Sequence, residues 1–275
     1  MTAAFYNLEA VVSVLATILL SLLVIGFGLL LERIRPVRGS PDRAAIFNVV
    51  YMMAAVFIQG AIAPLVLAGT ATVVSALGGG LVALPAEELG LVPAALVYVV
   101  TVDFLEYLFH RAQHAVPALW AMHSLHHSDP AMNVSTTSRH FWLEQAIKSV
   151  TIYLAVSLIF AASPLILLIY GVVSYYNFFP HMNLRVGFGR FVLLNSPQNH
   201  RIHHSSQPVH RDKNFAGLFP VFDLMGGTQY MPAADEYPAT GLDDGDQPVS
   251  LTEAIAWPAR GVLRRGLRQP AAPAR

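Results

Sequence analysis

The sequence predicts an all-α, polytopic membrane protein, with about three full spans, a proline-broken helical hairpin and a cytoplasmic histidine-rich cap. Three observations predict it. The chain is 55% hydrophobic and only 12% charged, with a mean hydropathy of +0.51, whereas a soluble domain carries about 25% charged residues. Apolar runs long enough to cross a bilayer core of about 30 Å recur along it. Between and after those runs stand three histidine clusters: His110-Arg-Ala-Gln-His114, His123-Ser-Leu-His126-His127 and His200-Arg-Ile-His203-His204.

Residues 9–31 are almost unbroken Val, Leu, Ile and Gly and form the first span. No basic leader or cleavage pattern precedes them, so the run is kept as a true span rather than a signal peptide. Glu32–Arg43 is a short basic loop with Arg33, Arg35, Arg38 and Arg43. The second apolar run covers 44–69, broken only by polar residues such as Asn48 and Gln59. Thr70–Leu84 has no clear pattern; Gly78-Gly79-Gly80 lacks the strand–turn–helix context of a phosphate loop and reads as a turn. The third span, 91–109, begins near Pro93 and ends in the first histidine cluster. After polar residues 115–143, the run 146–179 is too long for one ordinary span and carries Ser163-Pro164 in its middle. Proline removes a ladder bond and disfavours helix before it, so two short helices in a hairpin are expected. Residues 180–232 are polar again, and a Pro-, Asp- and Ala-rich tail follows, with one short helix capped by Ser250 and Glu253. The expected division is therefore an N-terminal membrane region (1–90), a region carrying the chemistry (91–232, hairpin 146–179 included) and a cytoplasmic tail (233–275).

Charge tests the threading. All 17 Lys and Arg lie in 33–43, 111–148, 185–213 or 260–275. With the N-terminus outside, each of these segments falls on the cytoplasmic side, as the positive-inside rule requires. The same threading places every histidine cluster on that one face. The balanced net charge gives no reason to expect nucleic acid, and the absence of cysteine excludes disulfides, thiolate metal sites and cysteine nucleophiles.

Histidines at i, i+3 and i+4 share a helix face, so each cluster can aim two or three imidazoles at one point. Eight clustered histidines exceed the three or four that one tetrahedral zinc takes, and two metals are the simplest account. Imidazole suits iron, zinc, copper and nickel alike, so residue type leaves the ion open. Asp103, Glu106, His110 and His114 lie on one helical stripe. A ligating histidine commonly donates its second ring N–H to a carboxylate, so Asp103, and after it Glu106, is expected to support the ligands; a structural polar pair near the interface is the competing reading. For isolated His140 and His210, a hydrogen-bonded structural role is the competing reading. A metalloprotease would need His-Glu-x-x-His, and the first cluster has Arg-Ala-Gln between its histidines. A membrane metal-ion transporter or metal-binding protein is the alternative from another class, although transporters place ligands near the bilayer midplane. A structural membrane protein with incidental histidines does not explain the spacing.

The order His-x-x-x-His, His-x-x-His-His, His-x-x-His-His between hydrophobic hairpins resembles the fatty acid hydroxylase/sterol desaturase superfamily, over about residues 100–230. Supporting matches are Leu119-Trp120, Asn133, Thr136, Arg139, Glu144, His181-x-Asn183, Ser196-Pro197-x-x-His200, Asn214-Phe-Ala-Gly217 and Phe222-Asp223-x-x-Gly-Gly-Thr228. The chain departs from the family's Arg-x-His-Pro-x-Glu, with Phe141 and Trp142 at the His and Pro positions and His140 one place early. By resemblance, His110, His114, His123, His126, His127, His200, His203 and His204 are metal ligands and His181 is a ninth. Asn183 joins Asp103 and Glu106 as a supporting residue. The resemblance further implies two iron ions (zinc as an alternative occupant), O2 as co-substrate, and hydroxylation or desaturation of a sterol, fatty acyl chain or other lipid. A separate electron donor is implied, ferredoxin- or cytochrome b5-like with a reductase, because the chain has no dinucleotide fingerprint or cytochrome domain. The Arg-rich loop, Arg185, Arg190 and Arg211 can receive an acidic partner or simply obey the positive-inside rule. Aromatics such as Phe104, Tyr107, Phe109, Trp120, Trp142, Tyr175, Tyr176, Phe178 and Phe179 fit an interfacial belt better than a channel lining. The expected location is a bacterial inner membrane with the site facing the cytoplasm.

Overall fold

Three long apolar helices carry the chain: α1 (Thr2–Glu32), α2 (Asp42–Ala76) and α3 (Leu91–Ala115). The computed structural model describes residues 2–39, 42–84 and 90–260, with side chains from residue 11 onward except that of residue 83. Residues 85–89 of the expected outer loop and 261–275 of the tail lie outside it. All three helices are long and apolar enough to cross a membrane, as the composition predicts. On α1, Leu15, Leu19, Leu23, Phe27 and Leu30 stay exposed, an apolar face suited to lipid and costly in water.

α2 runs further than its most apolar residues imply, from Asp42 to Ala76 with Pro64 inside. At 1.5 Å per residue this is about 52 Å, well beyond a 30 Å hydrocarbon core. The surplus is used at the cap end, where Asn48, Tyr51, Met52 and Ala55 are buried. The last turns of α1 do the same: Ile25 joins Met52, Val134, Met182 and Leu184 in one cluster. Gly28 lies so close to Val134 that an added Cβ would approach it to 2.7 Å. Glu32 closes this junction, its Oε1 accepting from the backbone N–H of Val134 (2.6 Å) and Asn183 (2.9 Å).

The hairpin is two-armed, as Ser163-Pro164 predicts. One arm joins α5 (Glu144–Lys148), a π turn (Ser149–Tyr153) and α6 (Leu154–Ile159); the other is α7 (Pro164–Ser174), capped by the Ser163 hydroxyl on Ile166 N–H. Between the arms, β2 (Phe160–Ala161) pairs in parallel with β1 (Val82–Ala83), which the weak pattern of that stretch concealed. Tyr98 and Val102 of α3 pack on Ile152, Val156 and Ile166 of the hairpin.

The cap comprises α4 (Pro117–His127), α8 (Phe178–His181), α9 (Pro197–His203), α10 (Val221–Met225), α11 (Leu251–Ile255) and their loops. Ser250 caps α11 as expected. Residues 233–260, within the segment expected as a tail, pack onto the cap: buried Trp257 donates from Nε1 to Ser124 (2.9 Å), and Trp142 donates to the Ile255 carbonyl. The reason is an apolar cluster of Tyr51, Ala55, Leu125, Phe141, Ala254 and Trp257 that its composition alone does not announce.

Arg139 sits at the C-terminus of α4, donating to the carbonyls of Leu125 (3.2 Å) and Ser128 (3.4 Å) and to the Ser128 hydroxyl (2.8 Å). Its guanidinium lies 3.7 Å from buried Asp129, so it satisfies orphan helix carbonyls and neutralises a buried charge at once. Arg139→Ala is expected to destabilise the fold by about 3–5 kcal/mol, because Asp129 loses its buried cation. Thermal unfolding in detergent, read by circular dichroism, measures this.

Candidate metal centre

Helix geometry delivers the ligand atoms. His110 and His114 stand one turn apart at the end of α3. The chain then turns through extended Val116, and Pro117 starts α4, which brings His123, His126 and His127 back across them. Ser196 caps α9, which carries His200 and His203 and ends at His204; His181 closes α8.

The nine histidines collect into two adjacent groups. His110, His114, His123, His127 and His203 form one; His126, His181, His200 and His204 form the other, and within each group the ligand atoms lie within 4.8 Å of one another. The groups touch where His127 and His204 stack, with ring centroids 4.4 Å apart. All of them except His110 and His114 are buried.

Five of the nine ring tautomers are set from outside, whereas Nδ1 of His126 and of His200 is buried without a partner. His110 donates from Nδ1 to the Phe215 carbonyl (2.6 Å), His181 to that of Asn177 (2.7 Å) and His203 to that of Lys213 (2.8 Å). A carbonyl only accepts, so these rings carry hydrogen on Nδ1 and present a bare Nε2 lone pair. Nδ1 of His123 meets Glu144 Oε2 at 3.2 Å, and Nδ1 of His114 meets Asp212 Oδ1 at 3.2 Å.

Inward, the nitrogens crowd. Nε2 of His181 is 3.1 Å from that of His126 and 3.0 Å from that of His200, which is 3.2 Å from that of His204. Each Nε2 owns one hydrogen or one lone pair, so a hydrogen-bond web among such atoms is poorly satisfied. Nε2 of His203 is buried with no partner at all. Buried orphan lone pairs are costly, and a cation at each centre removes the cost. The residues present therefore fit metal ions held by nitrogen ligands.

Burial favours neutral imidazoles. In metal-free protein, burial first, then neighbouring imidazoles, hold His126, His127, His200, His203 and His204 well below the ordinary histidine range. Burial takes His123 down to about 4 despite Glu144, and His181 to about 3. Such groups bind fewer protons folded than unfolded, so stability is complete above pH 6.5 and is lost as pH falls through 6.5 towards 4 and then 3. His123 alone contributes about 3 kcal/mol of this loss. Chelator-stripped protein is expected to lose melting temperature steeply over that window, and metal-loaded protein much less; paired melts from pH 7 to 4 test it.

The supporting residues are not the expected ones. Asp103 reaches no imidazole: its two oxygens accept from Leu218 N–H (3.0 Å) and Phe219 N–H (2.9 Å). It lies seven residues before His110, two helical turns or about 10 Å. Glu106 instead meets Lys148 (3.5 Å) and Tyr153 (3.2 Å) of the hairpin. Asn183 binds the basic loop, donating to the Arg38 carbonyl at 2.6 Å. Among the described residues, Glu144 is the buried carboxylate that reaches the cluster, as Asp212 does from the exposed side at His114. It accepts from Gln113 (2.6 Å), His140 Nδ1 (3.1 Å), His123 Nδ1 (3.2 Å) and Phe141 N–H (3.0 Å). Burial works to raise its carboxyl, but His140 and His123 hold it well below the usual range. The grouping of His123, His140 and Glu144 is thus a hydrogen-bonded clamp. His140 also stacks on His126, centroids 4.0 Å apart. His210 stands apart from the cluster, pinned between Ser205 and Glu236.

Backbone carbonyls are held as firmly as the carboxylates. Asp223 accepts from Phe215 and Ala216 N–H, both at 2.8 Å, and so fixes the carbonyl that orients His110. Asn214, at φ 56°, donates to Asn199 of α9. On the outer side, a cleft of about 320 Å³ lined by His114, Trp120, His127, His203 and Asp212 opens onto the five-histidine group.

Fold and site together define a polytopic helical membrane protein whose cap holds two adjoining histidine groups able to bind metal ions. Residues 95–228 match the fatty acid hydroxylase family model. The chain is similar to alkylglycerol monooxygenase of Caenorhabditis elegans, 34% identical over 142 residues (51% of this chain, 28% of that protein). It is similar to the Homo sapiens alkylglycerol monooxygenase, 35% identical over 159 residues (56% and 33%). It is also similar to ornithine lipid hydroxylase OlsE of Rhizobium tropici, 28% identical over 134 residues (48% and 40%). The matches thus span well under half the length of these relatives. No solved structure matches the chain significantly. Residues 95–228, just under half of the chain, therefore carry a fatty acid hydroxylase domain.

Proposed function

We propose that the protein is a membrane oxygenase that hydroxylates a C–H bond of a lipid with O2, using two iron ions and electrons from a separate donor protein. The observation that carries the reading is the pair of adjoining histidine groups, whose outer nitrogens are tied to Phe215, Asn177, Lys213 and Glu144. His110, His114, His123, His127 and His203 are assigned to one ion, and His126, His181, His200 and His204 to the other. Bound iron supplies O2 activation and hydrogen abstraction. The chain fixes the tautomers, buries the ligands and keeps Glu144 ionised beside His123. One oxygen atom enters the C–H bond and the other leaves as water, so two electrons and two protons come from outside.

The names of the relatives favour hydroxylation over desaturation, and a lipid with a polar head and a long chain, such as an alkylglycerol or an amino-acid lipid. The basic loop after α1 packs on the cap, with Val37 N–H bonded to the Asn183 carbonyl and Arg185 N–H to that of Arg35. This supports a cap on the cytoplasmic face of a bacterial inner membrane, where a ferredoxin- or cytochrome b5-like donor docks.

Comparative lipidomics of cells expressing wild type or the His126→Ala/His127→Ala double variant tests the activity. A lipid gaining one oxygen only with wild type is expected. No lipid difference, with altered cellular metal, would instead mark a metal transporter. Metal analysis of purified protein is expected to give two ions per chain; one or none overturns the dinuclear assignment.

A further inference from the structure

Two cavities join beneath the cluster, apart from the outer cleft. The upper one, about 170 Å³, lies against Ser21, Met52, Ser138, His140, Glu144 and Lys148. The lower one, about 260 Å³, lies against Val14, Ile62, Ala63, Val66 and Leu67. Val56, Gln59 and Gln145 line both, so the two adjoin across these three side chains. On α2 their walls follow one helical stripe from Met52 to Leu67, roughly 22 Å long, and the stripe leaves the cap and descends along the apolar part of the helix.

Polarity changes along this path. Two of the three hydroxyls in the lower part are turned back on their own helices, Thr17 onto the Ser13 carbonyl and Ser149 onto that of Gln145, both at 2.9 Å; the third is that of Ser13. What remains there is mainly aliphatic. Near the top, among the described residues, Ser21, Ser138 and Gln145 make no side-chain hydrogen bond and Nε2 of His140 has no partner, while its Nδ1 is held by Glu144. His140 stacks on His126, and Glu144 touches His123. The open polar groups therefore sit at the metal end and the aliphatic walls at the far end. The departure from the family pattern falls here. Phe141 turns into the apolar core and Trp142 bonds the Ile255 carbonyl, which leaves His140 to face the cavity.

We propose that the joined cavities hold one alkyl chain of a membrane lipid with its polar end uppermost under His140, so that oxidation falls on carbons near the polar end and not at the methyl terminus. The site of oxidation rests on the oxygenase reading; the orientation of the chain does not. A chain entering laterally between α1 and α2 keeps its apolar length among Val14, Ile62 and Leu67, and its polar atoms find the unpaired donors and acceptors above.

The test uses metal-loaded protein in phosphatidylcholine nanodiscs and two photoreactive 1-O-alkylglycerols, with a diazirine beside the glycerol or near the chain end. The first is expected to label Ser21 or Ser138, and the second Val14, Ile62 or Leu67, with the modified residue located by fragmentation. The reverse pattern, or labelling of neither set, overturns the proposal. Val56→Trp at the junction is expected to cut both labellings at least tenfold with metal content unchanged, and Ala63→Phe to cut them likewise should the first variant misfold; undiminished labelling in a folded variant overturns it. Labelling needs no turnover, so the expected pattern without oxidised product would count against the oxygenase reading alone. With product, alkylglycerols of increasing length should be oxidised at a position fixed from the glycerol; a position fixed from the methyl end overturns the proposal.

Discussion

His200→Ala is expected to remove one of two bound metals and to take lipid oxidation below detection. His200 is the hub of the four-histidine group, its Nε2 lying 3.0 Å from that of His181 and 3.2 Å from that of His204. Without it, His126, His181 and His204 remain, one short of a closed tetrahedral nitrogen shell. The five-histidine group responds differently. His203→Ala leaves His110, His114, His123 and His127, still four nitrogens, so that variant should keep more metal than His200→Ala while losing activity through altered geometry. Both losses should exceed the 10–100-fold typical of residues that merely support ligands. Elemental analysis of the two purified variants, beside a circular-dichroism check that both remain helical, separates the cases. If His200→Ala retains two metals and wild-type turnover, the assignment of the four-histidine group fails.

How much of this was legible in the sequence follows from which groups announce themselves. The spans did, because some twenty apolar residues in a row have few uses besides a membrane. The hairpin break did, because Ser163-Pro164 cannot continue a helix. The convergence of the histidine clusters did, because imidazoles at helical spacing are rare without a shared target. Their supports did not. Three of the groups that orient the rings are backbone carbonyls of Phe215, Asn177 and Lys213, and a carbonyl is the same at every position. Glu144 stands 21 residues after His123, where no local periodicity links them. The stripe through Asp103 and Glu106 was read correctly as one face of α3, but that face meets Leu218, Phe219, Lys148 and Tyr153 first. The short pairing of Val82–Ala83 with Phe160–Ala161 was equally hidden, since two residues of strand carry no period.

Glu144→Gln separates the two readings of which carboxylate serves the metals. Among the described residues, Glu144 is the buried carboxylate in hydrogen-bond contact with a clustered imidazole. One oxygen takes three donors, from Gln113, His140 and His123, and the other takes Phe141 N–H. An amide of the same size must turn its NH2 toward one of these two sets, placing donor against donor. Each buried donor left unpaired costs about 1–3 kcal/mol. His123 then loses the hold on its tautomer, and a fall of about 10–100-fold in metal affinity or turnover follows. The loaded site also becomes more positive by one charge, which favours the reduced metals, so the midpoint potential should rise. Asp103→Asn is the matched control. Asp103 holds the Leu218–Phe219 backbone and no imidazole, so its loss should lower the melting temperature while metal affinity and potential stay close to wild type. Glu144→Asp should recover part of the affinity, because the charge is kept and only reach is lost. Potentiometric titration and metal competition on the three variants decide it. Should Asp103→Asn shift the potential while Glu144→Gln leaves it in place, Glu144 is not the carboxylate that tunes the centre.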